Sequence, residues 1–464
     1  MPSGSRSSTG ENPDQLQLPD WVTPPPERRH GAERRSIDRR SAPRPPGGDL
    51  PERRGNERRV AERRRAAAVR QPPGGAERRV LVFAAMLLLA YGLVMAYSAS
   101  TAKAYFQYGS SFYLFERQAV YAVLGVGAMV LLSRVDYIWW RRLAVPLAVL
   151  VTLGLVAVLV PGVGSQINGA RRWIIVGGQS VTPSEFAKLA AVMLVAALIV
   201  QRPWEVRSAG GFARLVAIGI LPPAALIMLE PDLGTTLVLV IAVVAVLVAG
   251  GARLGHFVIF ALAGALCVLA LIVVEPYRMT RLTAFLHPWR DPQGSGMQTV
   301  QSLISIASGR LFGVGLGNSI QKFGFLPEQA TDSITGIIGE EMGLVGLLAL
   351  IGLYVLLAWA CLRVALDCKE RFGKLLAVGI ATGIAGQALI NIGAALGVLP
   401  LTGVPLPLVS LGGTSLVVVL AGIGIVLNIA TNRRSHIVAT PEGSDPPRGG
   451  GRDGRSHDPR ARRR

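Results

Sequence analysis

Apolar residues along this 464-residue chain are gathered into long blocks that short polar connections separate. The blocks are roughly 17 to 25 residues long, the length that an α-helix needs to cross the hydrocarbon core of a bilayer. Hydrophobic residues make up 50% of the chain, and the mean hydropathy is +0.42. The pattern therefore predicts an all-α polytopic membrane protein.

About ten transmembrane helices are predicted from these blocks. They are Val80–Tyr97, Gln118–Leu132, Leu143–Val160, Pro183–Val200, Leu215–Leu229, Thr235–Ala249, His256–Val274, Ser333–Leu362, Leu375–Val398 and Ser415–Ile429. Prolines interrupt the fifth and sixth, at Pro222-Pro223 and at Glu230-Pro231. A large loop, about residues 275–332, separates spans seven and eight. Ordering so long a loop costs backbone entropy that only packing or function offsets, so we expect the chemistry there.

Basic residues cluster after the even-numbered spans. They are Arg134, Arg141 and Arg142; Arg202, Arg207 and Arg214; Arg253; and Arg363, Lys369, Arg371 and Lys374. Lys and Arg near span ends accumulate on the cytoplasmic side of a membrane. The pattern predicts that both termini are cytoplasmic and that the large loop is extracytoplasmic.

Two polar tails flank the predicted membrane domain, which covers residues 80–431. Residues 1–79 repeat a Glu/Asp-Arg-Arg unit and, like the basic tail 432–464, hold too few large apolar residues to form a core, so both are predicted to be disordered. The net charge of +19 comes mostly from the tails. Anionic lipid contact or a partner docking site would use this charge, whereas no folded nucleic-acid-binding element accompanies it. No apolar stretch precedes Val80, so the first span is expected to serve as the targeting signal.

Asp291 is the candidate for chemistry in the large loop. The following Pro292 disfavours helical geometry at Asp291, and Gly294 and Gly296 permit a tight fold, so the carboxylate is expected to project from a turn. A short interfacial helix with a polar stripe that includes Gln298 is predicted next. The carboxylate either stabilises the turn or acts as a general base on a sugar hydroxyl.

Basic residues also occur where the orientation rule does not expect them. Arg171 and Arg172 follow span three, on the predicted outer side. Cations held there suggest an anionic partner such as a phosphate-bearing lipid headgroup, although long loops translocate regardless of charge. Glu185 and Lys188, three residues apart on span four, share a helix face; they either neutralise each other or have a functional role. Cys and His residues are scattered and no nucleotide-binding loop is present.

Several motifs occur in one order along nearly all of Val80–Ile429. They are Tyr97-Ser98-Ala99-Ser100, Asn168-Gly169-Ala170-Arg171-Arg172-Trp173, Pro183-Ser184-Glu185-Phe186-Ala187-Lys188, Glu230-Pro231-Asp232-Leu233-Gly234, Arg290-Asp291-Pro292-Gln293-Gly294-Ser295-Gly296, Leu326-Pro327-Glu328-Gln329-Ala330-Thr331-Asp332, Ile338-Gly339-Glu340-Glu341 and Pro405-Leu406-Pro407-Leu408-Val409-Ser410-Leu411-Gly412-Gly413-Thr414-Ser415. In these motifs the chain resembles the SEDS (shape, elongation, division and sporulation) membrane proteins.

The resemblance implies a peptidoglycan glycosyltransferase that polymerises lipid II at the outer face of the cytoplasmic membrane. Asp291 matches the family's catalytic carboxylate in its Asp-Pro-x-Gly-x-Gly motif. Candidate residues for binding lipid II through its pyrophosphate or sugars are Arg171, Arg172, Glu185, Lys188, Gln298, Glu328 and Asp332. No cofactor is certain, and a divalent cation, Mg²⁺ or Mn²⁺, is a candidate helper for the leaving pyrophosphate.

The motif Gly317-Asn318-Ser319-Ile320-Gln321-Lys322 resembles the division branch of the family more than the elongation branch. That branch implies work at the division septum with a class B penicillin-binding protein, a single-span transpeptidase, and with other membrane proteins of the division machinery. Three alternatives stay open: an elongation-type polymerase, a lipid II flippase and a division scaffold without catalytic activity.

Overall fold

A computed structural model describes residues 75–167, 170–274 and 276–432, so nearly all of both predicted tails lies outside the described residues. The described part contains thirteen α-helices. They are α1 Gly75–Tyr108, α2 Tyr113–Arg134, α3 Tyr137–Leu159, α4 Pro183–Gln201, α5 Ala209–Gly219, α6 Leu221–Leu229, α7 Leu233–Ala249, α8 Leu254–Val274, α9 Pro276–Leu286, α10 Met297–Ser308, α11 Ile334–Asp367, α12 Arg371–Ala395 and α13 Gly413–Asn432.

The membrane-spanning character of the chain is confirmed in the described part. Eight helical segments there are long and apolar enough to cross a membrane, with α5 and α6 together making one of them. Two shorter apolar helices, Leu233–Ala249 and Leu254–Leu266, stand at the positions of predicted spans six and seven. Predicted span five breaks at Ile220, directly before Leu221-Pro222-Pro223 at the start of α6. The break occurs because proline cannot donate the backbone hydrogen bond that a continuous helix needs.

Helices α4, α12 and α13 form the enclosed centre of the bundle and have the largest buried shares of the candidate spans. Their sequences provide small residues at close helix contacts, as is usual where lipid offers no hydrophobic driving force between helices. A Cβ on Gly424 of α13 would lie 2.5 Å from the carbonyl oxygen of Met129 in α2. Glycine at this position therefore lets α2 and α13 pack backbone to backbone.

A small antiparallel sheet lies between α3 and α4, which the sequence pattern did not predict. Its strands are β1 Gly164–Ile167, β2 Ala170–Val176 and β3 Gln179–Val181, in the order β1-β2-β3. The β2–β3 turn contains Gly177 and Gly178, both with positive φ, the region that glycine adopts without steric cost. The sheet contacts the start of α2, where the Arg117 guanidinium donates to the Gly178 carbonyl oxygen at 2.9 Å.

The bundle has two distinguishable ends. We call the end that carries the sheet and the large loop the outer end, and the end where α1 begins and α2 and α13 finish the inner end. The Ser98 hydroxyl donates to the Glu341 carboxylate at 2.7 Å near the outer end. At the inner end the Tyr137 backbone N–H donates to Asn428 Oδ1 at 2.9 Å.

Helix α11 is broken at Gly343, which has φ 65° and ψ −162°. The backbone N–H groups of Leu344 and Val345 donate to the carbonyl oxygens of Arg310 and Leu311 in the large loop, at 2.9 and 3.1 Å. In return the N–H groups that follow Gly313 donate to the helix carbonyls that the break leaves open, Val314 to Glu340 at 2.9 Å and Gly315 to Glu341 at 3.1 Å. The loop thus satisfies the backbone groups that the break exposes.

The large loop is mostly ordered structure, made of α9, α10 and short 3₁₀ turns. The predicted short helix after Asp291 is present as α10, but two of its serines, Ser302 and Ser305, are buried, whereas Ser308 is exposed and Ile304 is 40% exposed. Ser305 faces the protein because α11 offers hydrogen-bond partners there.

Candidate functional site

The Asp291 carboxylate projects from a tight turn, and its side chain is exposed. Oδ1 accepts the Gly294 backbone N–H at 3.0 Å, and Oδ2 accepts the Ser295 backbone N–H at 2.7 Å and the Ser295 hydroxyl at 3.2 Å. The turn-stabilising interaction predicted as an alternative to catalysis is thus present. It fixes the carboxylate and leaves it open to solvent, so the two roles are compatible.

Hydrogen bonding keeps this carboxylate ionised. The Ser295 backbone N–H, the Ser295 hydroxyl and the Gly294 N–H hold the pKa of Asp291 below its ordinary value, because each donor stabilises the charged form. Asp291 is therefore a proton acceptor at neutral pH. The same donors reduce its basicity. The carboxylate is therefore fixed and ionised but has a lower affinity for the proton.

Gly294 and Gly296 are required by the geometry of this turn. A Cβ on Gly294 would lie 2.2 Å from Asp291 Oδ2, and a Cβ on Gly296 would lie 2.2 Å from the Pro288 carbonyl oxygen. Neither distance is compatible with a side chain. Gly294 therefore allows the backbone to approach the carboxylate, and Gly296 allows the chain to pass close to Pro288.

Helix α10 begins directly after this turn and is tied to α11 and α12 by polar side chains. Gln298 Nε2 donates to the Ser333 hydroxyl at 2.9 Å, and the Ser302 hydroxyl donates to the Ala395 carbonyl oxygen at 3.1 Å. The Ser305 hydroxyl donates to the Gly336 carbonyl oxygen at 2.9 Å. These bonds set the position of α10, and through it the position of Asp291, relative to the membrane helices.

Glu340 and Glu341 lie inside α11, not at its start, so they are not helix caps. The Glu340 carboxylate accepts the hydroxyls of Ser305 and Ser319, at 3.2 and 2.5 Å. Glu341 accepts the Ser98 hydroxyl and lies 3.4 Å from the buried Lys322 ammonium. Both side chains are buried and anchor the large loop to α1 and α11.

Arg171 and Arg172 lie next to each other on β2 but have different surroundings. Arg172 Nε donates to the Glu230 carbonyl oxygen at 2.9 Å, and its guanidinium lies 3.6 Å from Asp232. It also donates to the Pro231 carbonyl oxygen. Within the described residues, the Arg171 guanidinium makes no hydrogen bond or ion pair. Arg172 thus holds the turn between α6 and α7, and Arg171 keeps its donors available.

Glu230, in the turn that Arg172 holds, has a fully buried side chain. Neither of its carboxylate oxygens has a hydrogen-bond partner among the described residues. Burial raises the pKa of Glu230 to about 8, and the neighbouring Asp232 adds to the effect while Arg172 opposes it. A carboxyl group in these surroundings is largely protonated at neutral pH.

Lys188 and Glu185 form a buried ion pair on α4, with Nζ–Oε distances of 2.9 and 3.0 Å. Lys188 Nζ also donates to Gln387 Oε1 on α12 at 2.7 Å, and Gln387 Nε2 donates to the Pro405 carbonyl oxygen at 2.8 Å. The two side chains thus form the ion pair that was one of the two alternatives left open by the sequence. These three polar side chains line one side of a small cavity, about 50 Å³, that is otherwise apolar.

Asn391 joins the remaining motif residues at the outer end. Its Nδ2 donates to the carbonyl oxygens of Asp332 and Val404, at 2.9 and 2.7 Å, and its Oδ1 accepts the Thr335 hydroxyl at 2.7 Å. Glu328 lies at the surface, 3.8 Å from Lys103. Asp332 and Gln298 therefore stand beside the anchored start of α11, whereas Glu328 lies at the edge near α1.

The comparisons with known proteins agree with this arrangement. The sequence profile of the FtsW/RodA/SpoVE family, described as cell cycle protein, matches residues 78–435. The chain belongs to the FtsW/RodA/SpoVE family. The matched residues include the Asp291 turn and the contacts of Arg172 with the turn between α6 and α7.

Individual members of the FtsW/RodA/SpoVE family are similar over nearly their whole length. Stage V sporulation protein E of Bacillus subtilis is 43% identical over 356 residues, 76% of this chain and 97% of the relative. The probable peptidoglycan glycosyltransferase FtsW of Nitrosococcus halophilus is 41% identical over 364 residues, 77% and 93% of the two chains.

Solved structures of family members have the same fold. A chain in a peptidoglycan synthase complex, solved to show how polymerization and crosslinking are coordinated, is 33% identical with a TM-score of 0.65, and the match covers 76% of this chain and 97% of the other. The rod shape determining protein RodA of Thermus thermophilus is 31% identical with a TM-score of 0.56, covering 76% and 96%.

Sequence reasoning missed several polar residues of this family member's outer end. Gln387 and Asn391 lie in α12, a predicted span, and each connects two or more segments. The signal was available, because an amide side chain at membrane depth must find a partner. The role of Arg172 was harder to predict, since two of its partners are the backbone carbonyl oxygens of Glu230 and Pro231, which no sequence pattern marks.

Proposed function

We propose that this protein is a peptidoglycan glycosyltransferase that polymerises lipid II, with Asp291 as the general base. The observation that carries the proposal is the Asp291 carboxylate: it is exposed, ionised and fixed by the Gly294 and Ser295 donors at the outer end. Relatives in the family are named peptidoglycan glycosyltransferases, which supports the reaction class.

In the proposed reaction Asp291 accepts the proton of the 4-hydroxyl of the terminal GlcNAc of one lipid II molecule. The hydroxyl oxygen forms a bond to the anomeric carbon of MurNAc at the lipid-linked end of the growing strand. The bond from that carbon to the pyrophosphate breaks, and undecaprenyl pyrophosphate leaves with inversion at the carbon. Positioning of the base relative to the hydroxyl is one contribution of the protein to the rate.

The leaving pyrophosphate needs positive charge. Arg171 is the best-supported candidate of the three predicted cations, because its donors are not engaged within the described residues. Arg172 positions the Glu230–Asp232 turn, and Lys188 is neutralised by Glu185 in the cavity between α4 and α12. We assign Arg171 to the pyrophosphate and give Arg172 and Lys188 positioning roles. Gln298, Glu328 and Asp332 stay candidates for sugar contacts.

A divalent cation stays a prediction. Among the described residues no three His, Cys, Asp or Glu side chains converge as a metal cage would require. Any Mg²⁺ or Mn²⁺ would therefore take most of its ligands from the pyrophosphate and water. No step of the proposed reaction is assigned to the cation.

The protein is embedded in the membrane, and its place in the cell is proposed from its relatives. The FtsW name of several relatives favours septal wall synthesis at the cytoplasmic membrane during cell division. The similar chain in a peptidoglycan synthase complex favours a partner of the class B penicillin-binding type that crosslinks the strands. Lipid II and the undecaprenyl-linked strand are the proposed substrates.

The test is polymer formation from fluorescent lipid II by the purified protein, with and without its cognate transpeptidase and Mg²⁺. Asp291→Asn keeps the size of the side chain and removes the base, so we expect a loss of polymerisation of about 10²- to 10⁴-fold. Glu116→Gln is the matched control, since Glu116 is an exposed carboxylate at the start of α2, and it should leave the rate unchanged.

Two results would contradict the proposal. Polymer at the wild-type rate from Asp291→Asn would remove Asp291 from the mechanism. No polymer from wild-type protein in any condition would favour the flippase or the scaffold instead. Translocation of the same fluorescent lipid II across vesicles would then separate those two.

A further inference from the structure

A groove opens at the inner end of the bundle, the end opposite the Asp291 turn. It lies between the start of α1 and the last turns of α2 and α13 and has a volume of about 490 Å³. Its lining residues are Arg78, Val82, Met129, Val130, Ser133, Arg134, Leu427, Asn428, Thr431 and Asn432. The groove therefore combines two guanidinium groups with apolar side chains.

Neither guanidinium group of the groove has a counter-charge among the described residues. Neither Arg78 nor Arg134 makes a hydrogen bond or an ion pair within the described chain, and both are exposed. The Asn428 amide is engaged instead, donating to the Ser133 carbonyl oxygen at 2.9 Å and accepting the Tyr137 N–H at 2.9 Å. Up to ten N–H donors, five on each arginine, thus face the groove or solvent without a protein acceptor.

The groove continues into surfaces that face lipid. Val130 and Leu131 of α2 are 42% and 63% exposed, and Phe83 of α1 is 61% exposed, all within a helical turn or two of the arginines. Apolar side chains exposed on membrane helices contact acyl chains. The groove therefore presents positive charge at the helix ends and apolar surface beside it, toward the bilayer centre.

We propose that this groove binds an anionic phospholipid, with the phosphate between Arg78 and Arg134 and an acyl chain along Val82 and Val130. Guanidinium groups form paired hydrogen bonds with phosphate oxygens, and basic pockets between transmembrane helices bind acidic headgroups. The apolar wall selects a lipid over a free phosphate ion. This site is independent of the transferase chemistry, because it lies at the opposite end of the bundle from Asp291.

The test is lipid binding to the purified full-length protein in detergent, measured by native mass spectrometry with dioleoylphosphatidylglycerol and, for comparison, dioleoylphosphatidylcholine. We expect wild-type protein to retain phosphatidylglycerol preferentially. Each arginine removed should raise the apparent Kd about fivefold, and Arg78→Gln with Arg134→Gln about 25-fold. Arg141→Gln with Arg142→Gln removes the same charge from the start of α3, outside the groove, and should have little effect.

A second variant tests the groove without changing charge. Val130→Trp fills the space beside Arg134 and should also weaken phosphatidylglycerol binding, in protein whose elution profile and melting temperature match wild type. Equal binding by wild type and the Arg78/Arg134 double variant would overturn the proposal. So would an equal loss in the Arg141/Arg142 control, which would indicate bulk charge, or displacement of the lipid by millimolar inorganic phosphate, which would indicate a phosphate site.

Discussion

Asp291 illustrates how a short sequence fixes a reactive group without burying it. Three donors from Gly294 and Ser295 hold the carboxylate, and Gly294 has no side chain that would collide with it. The carboxylate stays accessible to a bulky, membrane-anchored substrate. An exposed base is suited to a polymer whose end must enter and leave repeatedly.

Ser295 provides a direct test of this arrangement. Ser295→Ala removes the hydroxyl donor and keeps the backbone N–H, so the pKa of Asp291 should rise toward the ordinary carboxyl value. Since the base must be deprotonated, the acid limb of the kcat/KM–pH profile should move to higher pH. The measurement is polymerisation rate against pH for both proteins. Ser308→Ala, a serine at the end of α10, should leave the limb in place, and an unmoved limb in Ser295→Ala would show that Asp291 does not set it.

Sequence alone identified Asp291 and its turn, because proline and glycine act on the backbone locally. It did not distinguish Arg171 from Arg172, which are adjacent in the chain. Their difference depends on where the α6–α7 turn lies in space, as the contacts of Arg172 with Glu230 and Asp232 show. Such a difference arises from tertiary contacts between residues about 60 positions apart, and no local pattern encodes it.

At the scale of elements, buried carboxylates of α11 connect the membrane helices to the large loop. Glu341 accepts a hydrogen bond from the Ser98 hydroxyl of α1 and pairs with Lys322 from the loop.

Helix position was predictable from hydropathy, and most predicted spans overlap the observed helices closely. The inward-facing serines of α10 were not predictable, since the amphipathic pattern alone does not say which face meets protein.

Replacing Glu341 should lower the stability of the fold. Glu341→Ala leaves the buried Lys322 ammonium without its counter-charge, and breaking a buried ion pair in this way lowers the free energy of unfolding by about 3 to 5 kcal/mol. Reversible SDS unfolding, or the melting temperature in detergent, measures the loss. Glu328→Ala is the comparison, because its pair with Lys103 lies at the surface and contributes about 0 to 1 kcal/mol. Similar losses in both variants would contradict the anchoring role of Glu341.

At the scale of the whole molecule, the two ends of the bundle carry different structural features. The outer end holds the sheet, the Asp291 turn and the motif network, and the inner end holds the lipid groove. The span pattern predicted the helical membrane fold, whereas the three-stranded sheet was missed because its strands are short and lie in a Gly-rich connection. Orientation in the membrane stays a prediction from the basic residues that follow the even-numbered spans.

Cysteine labelling tests that orientation. Gln107→Cys lies at the end of α1 on the outer side, and Lys369→Cys lies between α11 and α12 on the inner side; both positions are exposed. An impermeant maleimide added to intact cells should label the first, and the second only after permeabilisation. Wild-type protein gives the background from native cysteines, of which Cys361 and Cys368 are buried. The reverse labelling pattern would invert the predicted topology.

The break at Gly343 limits how the large loop can move. Four backbone hydrogen bonds cross between α11 and residues 310–315 at this break, so this part of the loop cannot swing away as a lid without leaving polar groups unsatisfied near the membrane. In the proposed reaction each addition makes the incoming lipid II the new lipid-linked end of the strand, so the strand must move by one unit before the next addition. The strand and its new lipid carrier therefore have to slide past this fixed segment, while the old carrier leaves as undecaprenyl pyrophosphate at every addition.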